Sequence, residues 1–281
     1  MPFFAIMQGR LLPPEGGRFQ SFPREAWRSE FSLAARAGLN GIEWIFDSYG
    51  EDVNPLGTET GIAEMRSLSQ QTGVAVRSLC ADYFMDKPFL RSNDLERRQL
   101  IEKMHWLLSR CKLAGIRRVV IPFVDNSRIE NGDEESEVIF ILQSILPSAE
   151  ANEVELHLET SLAPKPFAGL LERCNHPLVR VNYDSGNSAS LGYMLADEFA
   201  AYGERIGSVH IKDRQRRGST VPLGTGSADL AGLFRGLARL RYDGDYVLQI
   251  ARSMTGDELR WIAQNLGFVA TQVEIAKGLA S

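Results

Sequence analysis

Four side chains in the C-terminal half of the chain have the types to gather around one cation. They are Glu159 in V-E-L-H-L-E, Asp184 in V-R-V-N-Y-D, His210 in S-V-H-I-K and Gln249 in Y-V-L-Q-I. Each stands near the end of a short aliphatic run with the composition of a buried strand. Two carboxylates, an imidazole and an amide oxygen form an O, O, N, O donor set suited to a divalent ion such as Mn²⁺, Mg²⁺, Co²⁺ or Zn²⁺. The plainer alternative is a metal-free buried network in which these groups bond one another. Any one of them alone favours that alternative; four at matching strand ends favour the ion. A buried amide without a partner costs about 1–3 kcal/mol. The carbonyl oxygen of Gln249 is therefore expected to be a neutral ligand or a close neighbour of the ion.

The elements that must position these groups follow from period-2 alternation. Val154, Leu156 and Leu158 share one face, and Glu155, His157 and Glu159 the other. Val179, Val181 and Tyr183 oppose Arg180, Asn182 and Asp184; Val209 and Ile211 oppose Ser208, His210 and Lys212; Tyr246, Leu248 and Ile250 oppose Val247, Gln249 and Ala251. Strand-like runs begin near Phe3, Gly41, Val74, Arg118, Val154, Val179, Ser208 and Tyr246, with amphipathic stretches between them. Pro23 and Gly38 bracket a helix carrying Trp27, Phe31 and Ala35. Asn93 or Asp94 is expected to cap a long helix ending at Gly115, and Ser227 to cap the helix bearing Leu230, Phe234 and Leu237. Eight strand–helix alternations in 281 residues predict a closed (β/α)8 TIM barrel, one domain over residues 1–281. An open doubly wound sheet is the other topology, but no G-x-G-x-x-G follows the first strand. In the barrel the apolar faces pack on the helix ring, so the polar faces line the interior. Active sites of this fold lie at the C-terminal strand ends, where the four groups stand.

Composition narrows the partners. With 31 basic and 36 acidic residues, a net charge of -5 and a pI near 5.5, the chain lacks a nucleic-acid footprint. The basic run at 214–217 is too short to make one. Cys80, Cys111 and Cys174 are sparse and odd in number, which argues against disulfides and thiolate zinc sites. The first residues lack a basic leader and no apolar run spans a bilayer, so a cytoplasmic location without membrane contact is expected.

Beyond these patterns, the sequence resembles the xylose-isomerase-like TIM barrels, the sugar phosphate isomerase/epimerase superfamily. The resemblance is carried by GLNGIEW (38–44), SLCADYF (78–84), LETSL (158–162), VNYDSGNSASLG (181–192), VHIKD (209–213), VPLGTG (221–226) and YVLQIAR (246–252). It implies a metal held by a Glu, an Asp, a His and a second Glu from strands five to eight. The first three fall on Glu159, Asp184 and His210. The fourth does not, because Gln249 stands where the family has Glu. The implied chemistry is proton abstraction next to a carbonyl, with the ion lowering the energy of an enediolate.

An amide cannot serve as the second acid/base of a two-glutamate epimerisation. One-base transfer by Glu159, as aldose–ketose isomerisation needs, survives. For epimerisation a second proton-transfer group must come from elsewhere, Lys212 first and then Glu43 or Asp82. His157, placed deeper, is expected to hydrogen-bond an ion-holding carboxylate. With one negative charge fewer, the ion should be held less tightly, and Gln249→Glu should tighten it. For a sugar or sugar phosphate, Arg10, Arg128, the 214–217 cluster and above all Arg252 are candidate anion contacts. Glu43, Asp82 and Asn187 are candidate substrate contacts, and the glycines of V-P-L-G-T-G either admit a loop to the ligand or make a turn. A dehydratase or lyase working through the same enolisation, and a non-catalytic sugar- or metal-binding barrel, are the alternatives. Metal-dependent nucleases among the related barrels use many histidines, and four do not suffice. Homo-oligomers are common in such barrels.

Overall fold

Eight parallel strands close into a barrel in the computed structural model, which describes residues 2–280. The strands are β1 (Phe3–Met7), β2 (Gly41–Ile45), β3 (Ala75–Cys80), β4 (Arg118–Phe123), β5 (Glu155–Thr160), β6 (Val179–Asp184), β7 (Ile206–Ile211) and β8 (Asp245–Leu248). Each hydrogen-bonds its sequence neighbours, and β8 returns to β1 with Phe3 beside Asp245. A helix follows every strand, so the expected (β/α)8 architecture is the one observed.

Alternation sorts the side chains as anticipated. Val181, Val209, Leu248 and Tyr246 are buried under the helices, with Phe234 packed against Tyr246 at 6.3 Å between ring centroids. Leu230, Phe234 and Leu237 are all buried on the helix Leu230–Arg239. Register does the rest. Asp184 on β6 lies opposite His210 on β7, and the Gln249 N–H bonds the Ile211 carbonyl at 3.0 Å, carrying the β7–β8 ladder one residue further. The ends of β6, β7 and β8 are thus level at one mouth of the barrel.

Helix punctuation matches in part. Asn93 and Glu96 form a reciprocal capping box on Asp94–Ala114, and Gly38 and Gly115 end their helices with φ of 83° and 82°. The first helix starts at Trp27, not just after Pro23, because residues 24–26 form a turn whose last bond runs from the Trp27 N–H to the Pro23 carbonyl. The helix Leu230–Arg239 is capped by Asp229 rather than Ser227. The Asp229 carboxylate accepts from the Gly232 N–H at 2.8 Å, while the Ser227 hydroxyl accepts from the Arg216 N–H. The three cysteines are free and buried. Among the described residues no helix is long and apolar enough to cross a membrane. Asp229→Ala should destabilise the fold by about 1 kcal/mol and Ser227→Ala by clearly less, as measured by chemical denaturation.

Candidate functional site

The strand ends bring Glu159, Asp184 and His210 together: one ligand atom from each lies within 4.8 Å of the others, and all three residues are buried. His210 has no exposed surface. Its Nε2 faces Glu43 Oε1 at 2.5 Å, and its Nδ1 faces Glu159 Oε2 at 3.3 Å. A ring nitrogen and a carboxylate oxygen that close require a proton or a cation between them. Burial opposes a charged imidazole, but Glu43 and Glu159 on either side outweigh it and push the His210 pKa well above its ordinary value. The same arrangement suits a divalent ion on Nδ1, with Glu43 holding Nε2–H and so fixing the tautomer. Asp184 is divided between two tasks. Its Oδ1 caps the helix Ser185–Leu191 through the N–H groups of Gly186 and Asn187, at 2.9 and 2.8 Å, and its Oδ2 remains for a cation. The donor set therefore fits the ion that the sequence implied.

Lys212 supplies a cation in the structure itself. Its ammonium donates to Asp184 Oδ2 at 3.2 Å, Gln249 Oε1 at 3.1 Å and Asn187 Oδ1 at 3.3 Å. This settles which way Gln249 faces. Its oxygen meets Lys212, and its Nε2–H donates to Gln20 Oε1 at 2.9 Å. Gln20 in turn donates to Asp82 Oδ2 at 2.9 Å. The bonds run in one direction, from ammonium through two amides to a carboxylate. Sequence reading missed Gln20, which lies in the β1 loop and outside any periodic pattern.

Glu159 is held from both sides. Asn187 donates to its Oε1 at 2.7 Å and Asn182 to its Oε2 at 3.0 Å. Burial would raise its pKa, but the hydrogen bond and charge of His210, then Lys212 and Asn182, prevail and hold it below the usual value. The Asn182 amide is itself aimed from below. Ser208 donates to Asn182 Oδ1 at 2.7 Å, His157 Nδ1 meets Ser208 Oγ at 2.6 Å, and His157 Nε2 meets Glu155 at 2.9 Å. His157 therefore touches no ion-holding carboxylate directly. It lies too deep, and its bond reaches Glu159 only through Ser208 and Asn182.

Several expected substrate contacts are placed elsewhere. Glu43 is 0% exposed; its Oε1 is engaged by His210 and its Oε2 has no hydrogen-bond partner among the described residues. Asp82 is buried behind Gln20 and also accepts from Cys80 Sγ; burial raises its pKa to about 6. Arg10, 2% exposed, donates to the Phe19 carbonyl and to Gln20 Oε1 and lies 4.1 Å from the Phe19 ring. Arg252 spends its N–H groups on the carbonyls of Leu12, Gly9 and Phe19. Both arginines brace the loop after β1 instead of presenting a free fork to an anion. Arg128 is paired with Glu130. Of the basic cluster, Arg214 reaches the site through Asn187 Oδ1 at 2.9 Å. The V-P-L-G-T-G glycines make a turn around Asp213, whose carboxylate accepts from the Gly224, Gly226 and Ala228 N–H groups. A Cβ on Gly226 would stand 2.2 Å from Asp213 Oδ1.

The description "xylose isomerase-like TIM barrel" matches residues 31–271 of this chain. L-ribulose-5-phosphate 3-epimerase UlaE of Salmonella heidelberg (strain SL476) is 25% identical over 236 residues, 80% of this chain and 82% of the relative. A solved L-ribulose 3-epimerase superposes with a TM-score of 0.77 at 15% identity, covering 100% of this chain and 97% of the other. The structure described as IOLI protein with a binding zinc atom gives 0.76 at 16% identity, covering 98% and 99%.

Lys212→Met removes a positive charge that competes for Asp184 and Gln249. Calorimetric titration with Mn²⁺ should show binding tighter by about tenfold, or ~1.4 kcal/mol. Unchanged affinity would place the ion away from Asp184 Oδ2.

Proposed function

The chain belongs to the xylose isomerase-like TIM barrel family, and from that membership we propose that it is a divalent-metal-dependent epimerase or isomerase of a sugar or sugar phosphate. The reading extends over residues 1–281 as one catalytic barrel. The observation that carries it is the placing of a carboxylate and an ammonium, Glu159 and Lys212, at the mouth on either end of the Asn187 amide, with Asp184 and Gln249 also bonded to the ammonium. The relatives named for 3-epimerisation of L-ribulose and its 5-phosphate support the substrate class.

Glu159, Asp184 and His210, with the Gln249 oxygen beside them, are the residues that would hold the ion. When bound, the ion supplies Lewis-acid charge to the carbonyl oxygen as negative charge develops there. Glu159 acts as the base. Its lowered pKa keeps it ionised, and the amides of Asn182 and Asn187 hold both oxygens in a defined plane. Lys212 is the acid that returns the proton. It replaces in function the carboxylic acid that Gln249 cannot be. Its ammonium is steered by three oxygen acceptors, and a substrate hydroxyl group can exchange with any of them. Asn187, between the two groups, is placed to bond a substrate hydroxyl, as is Arg214 through it.

With L-ribulose or its 5-phosphate in deuterated solvent, the two roles separate. Glu159→Gln should abolish both exchange of the carbon-bound proton and product formation, by about a thousandfold. Lys212→Met should retain exchange while losing the epimer. Full turnover in Glu159→Gln would remove the proposed base. Loss of exchange and epimer together in Lys212→Met, with ion binding intact, would remove the division of labour.

A further inference from the structure

We propose that the opposite, N-terminal face of the barrel carries a second binding site, for a small molecule bearing a pyrophosphate group, such as a nucleoside diphosphate. The site is a cavity of about 400 Å³ where the helix Glu59–Thr72, the start of β3 and the turn into β4 meet. Arg66, Arg77, Arg117 and Arg118 all line it, and no carboxylate does. That concentration of positive charge sits on a chain of net charge -5.

The four guanidinium groups are unequally occupied. Arg118 pairs with Asp245 and lies 3.7 Å from Glu155, neither of which lines the cavity. Arg77 stacks over the Phe3 ring at 3.8 Å, and its nearest carboxylate oxygen, on Asp245, is 3.9 Å away. Arg66 and Arg117 make no side-chain hydrogen bond or ion pair among the described residues. Basic groups at helix C-termini offset the helix dipole, and two helices end near this cavity, at Thr72 and Ala114. That effect accounts for a basic residue at each end, but not for four converging on one hollow. Like charges held together cost free energy unless an anion joins them.

The chemistry selects phosphate. A guanidinium presents paired N–H donors that match two phosphate oxygens, and several such forks around one cavity match a group with more than one phosphorus. Ser69 and Gln70 add a hydroxyl and an amide to the same wall, while Met65, Val76 and Ala114 offer an apolar surface for the rest of the molecule. The volume lies in the range of small-molecule sites. None of these residues belongs to the mouth where Glu159 and Lys212 stand, so the site does not depend on the proposed reaction.

The test is calorimetric titration of the full chain with inorganic pyrophosphate and with a nucleoside diphosphate at physiological salt. Saturable binding is expected, weakened roughly tenfold or more by Arg66→Ala and by Arg117→Ala. Both residues are exposed and their side chains bond nothing among the described residues, so circular dichroism and the thermal midpoint should stay unchanged. Both variants keep the barrel mouth intact, so any heat from contact with a bound ion there is common to all titrations and drops out. Absence of saturable binding overturns the proposal, as does binding that Arg66→Ala and Arg117→Ala leave unaltered. Epimerase activity is not read in this experiment, so failure here and failure of the proposed reaction remain distinct.

Discussion

The whole arrangement depends on one constraint: polar groups inside a closed barrel have no water to fall back on, so each must find a partner in the interior. A typical barrel avoids the problem by filling its centre with branched aliphatic side chains. Here the second half of the barrel sends His157, Ser208, Asn182, Glu159 and His210 inward instead, with the half-exposed Glu155 at the floor. They survive burial because they bond in sequence from the floor of the barrel to its mouth. Each bond also fixes a direction. A serine donating to the Asn182 oxygen turns that amide's nitrogen toward Glu159 Oε2 at 3.0 Å and His210 Nδ1 at 3.1 Å. A requirement of stability thereby becomes a means of aiming the Glu159 carboxylate.

Charge balance at the mouth follows the same rule. Among the described residues, the buried carboxylates Glu43, Glu159 and Asp184 pair at the mouth with two side-chain cations, His210 and Lys212. Unpaired, each would be driven toward its neutral form. With a carboxylate at 249 the mouth would hold a fourth anion. The amide lowers that count and lets Lys212 approach Gln249 Oε1 and Asp184 together. The replacement and the ammonium are two parts of one electrostatic solution. Asp184 Oδ2 and Gln249 Oε1, which now hold Lys212, are among the oxygens that would hold a divalent ion.

The loop after β1 closes the mouth from the side, and arginines are used there as structural braces. Arg10 and Arg252 between them engage carbonyls of Gly9, Leu12 and Phe19. Burial, and then the charge of Arg252, lower the Arg10 pKa to about 9. Two guanidinium groups so placed would be costly anywhere they did not each satisfy several backbone oxygens. Their reward is a fixed position for Gln20, and through Gln20 a fixed orientation for Gln249.

The sequence by itself determined the architecture and the gathering of Glu159, Asp184 and His210, which could hold a metal ion. Alternation in β5 to β8 is a local property: once hydrophobic residues must face the helices, Glu159, Asp184 and His210 have nowhere to point except inward. The long helix from Asp94 was legible for the same reason, since its capping box and terminal glycine lie within a few residues of its ends. What only the tertiary structure decided is which polar group meets which. Glu43 and His210 are 167 residues apart, and Gln20 and Gln249 are separated by 229. No periodicity encodes such pairings; they arise when closure of β8 onto β1 brings the first loop beside the last strands. The carbonyl partners of Arg10 and Arg252 are not legible in sequence because a charged side chain in a loop carries no record of the backbone oxygens it will find. Closure of the ring, which no local pattern contains, supplied those partners.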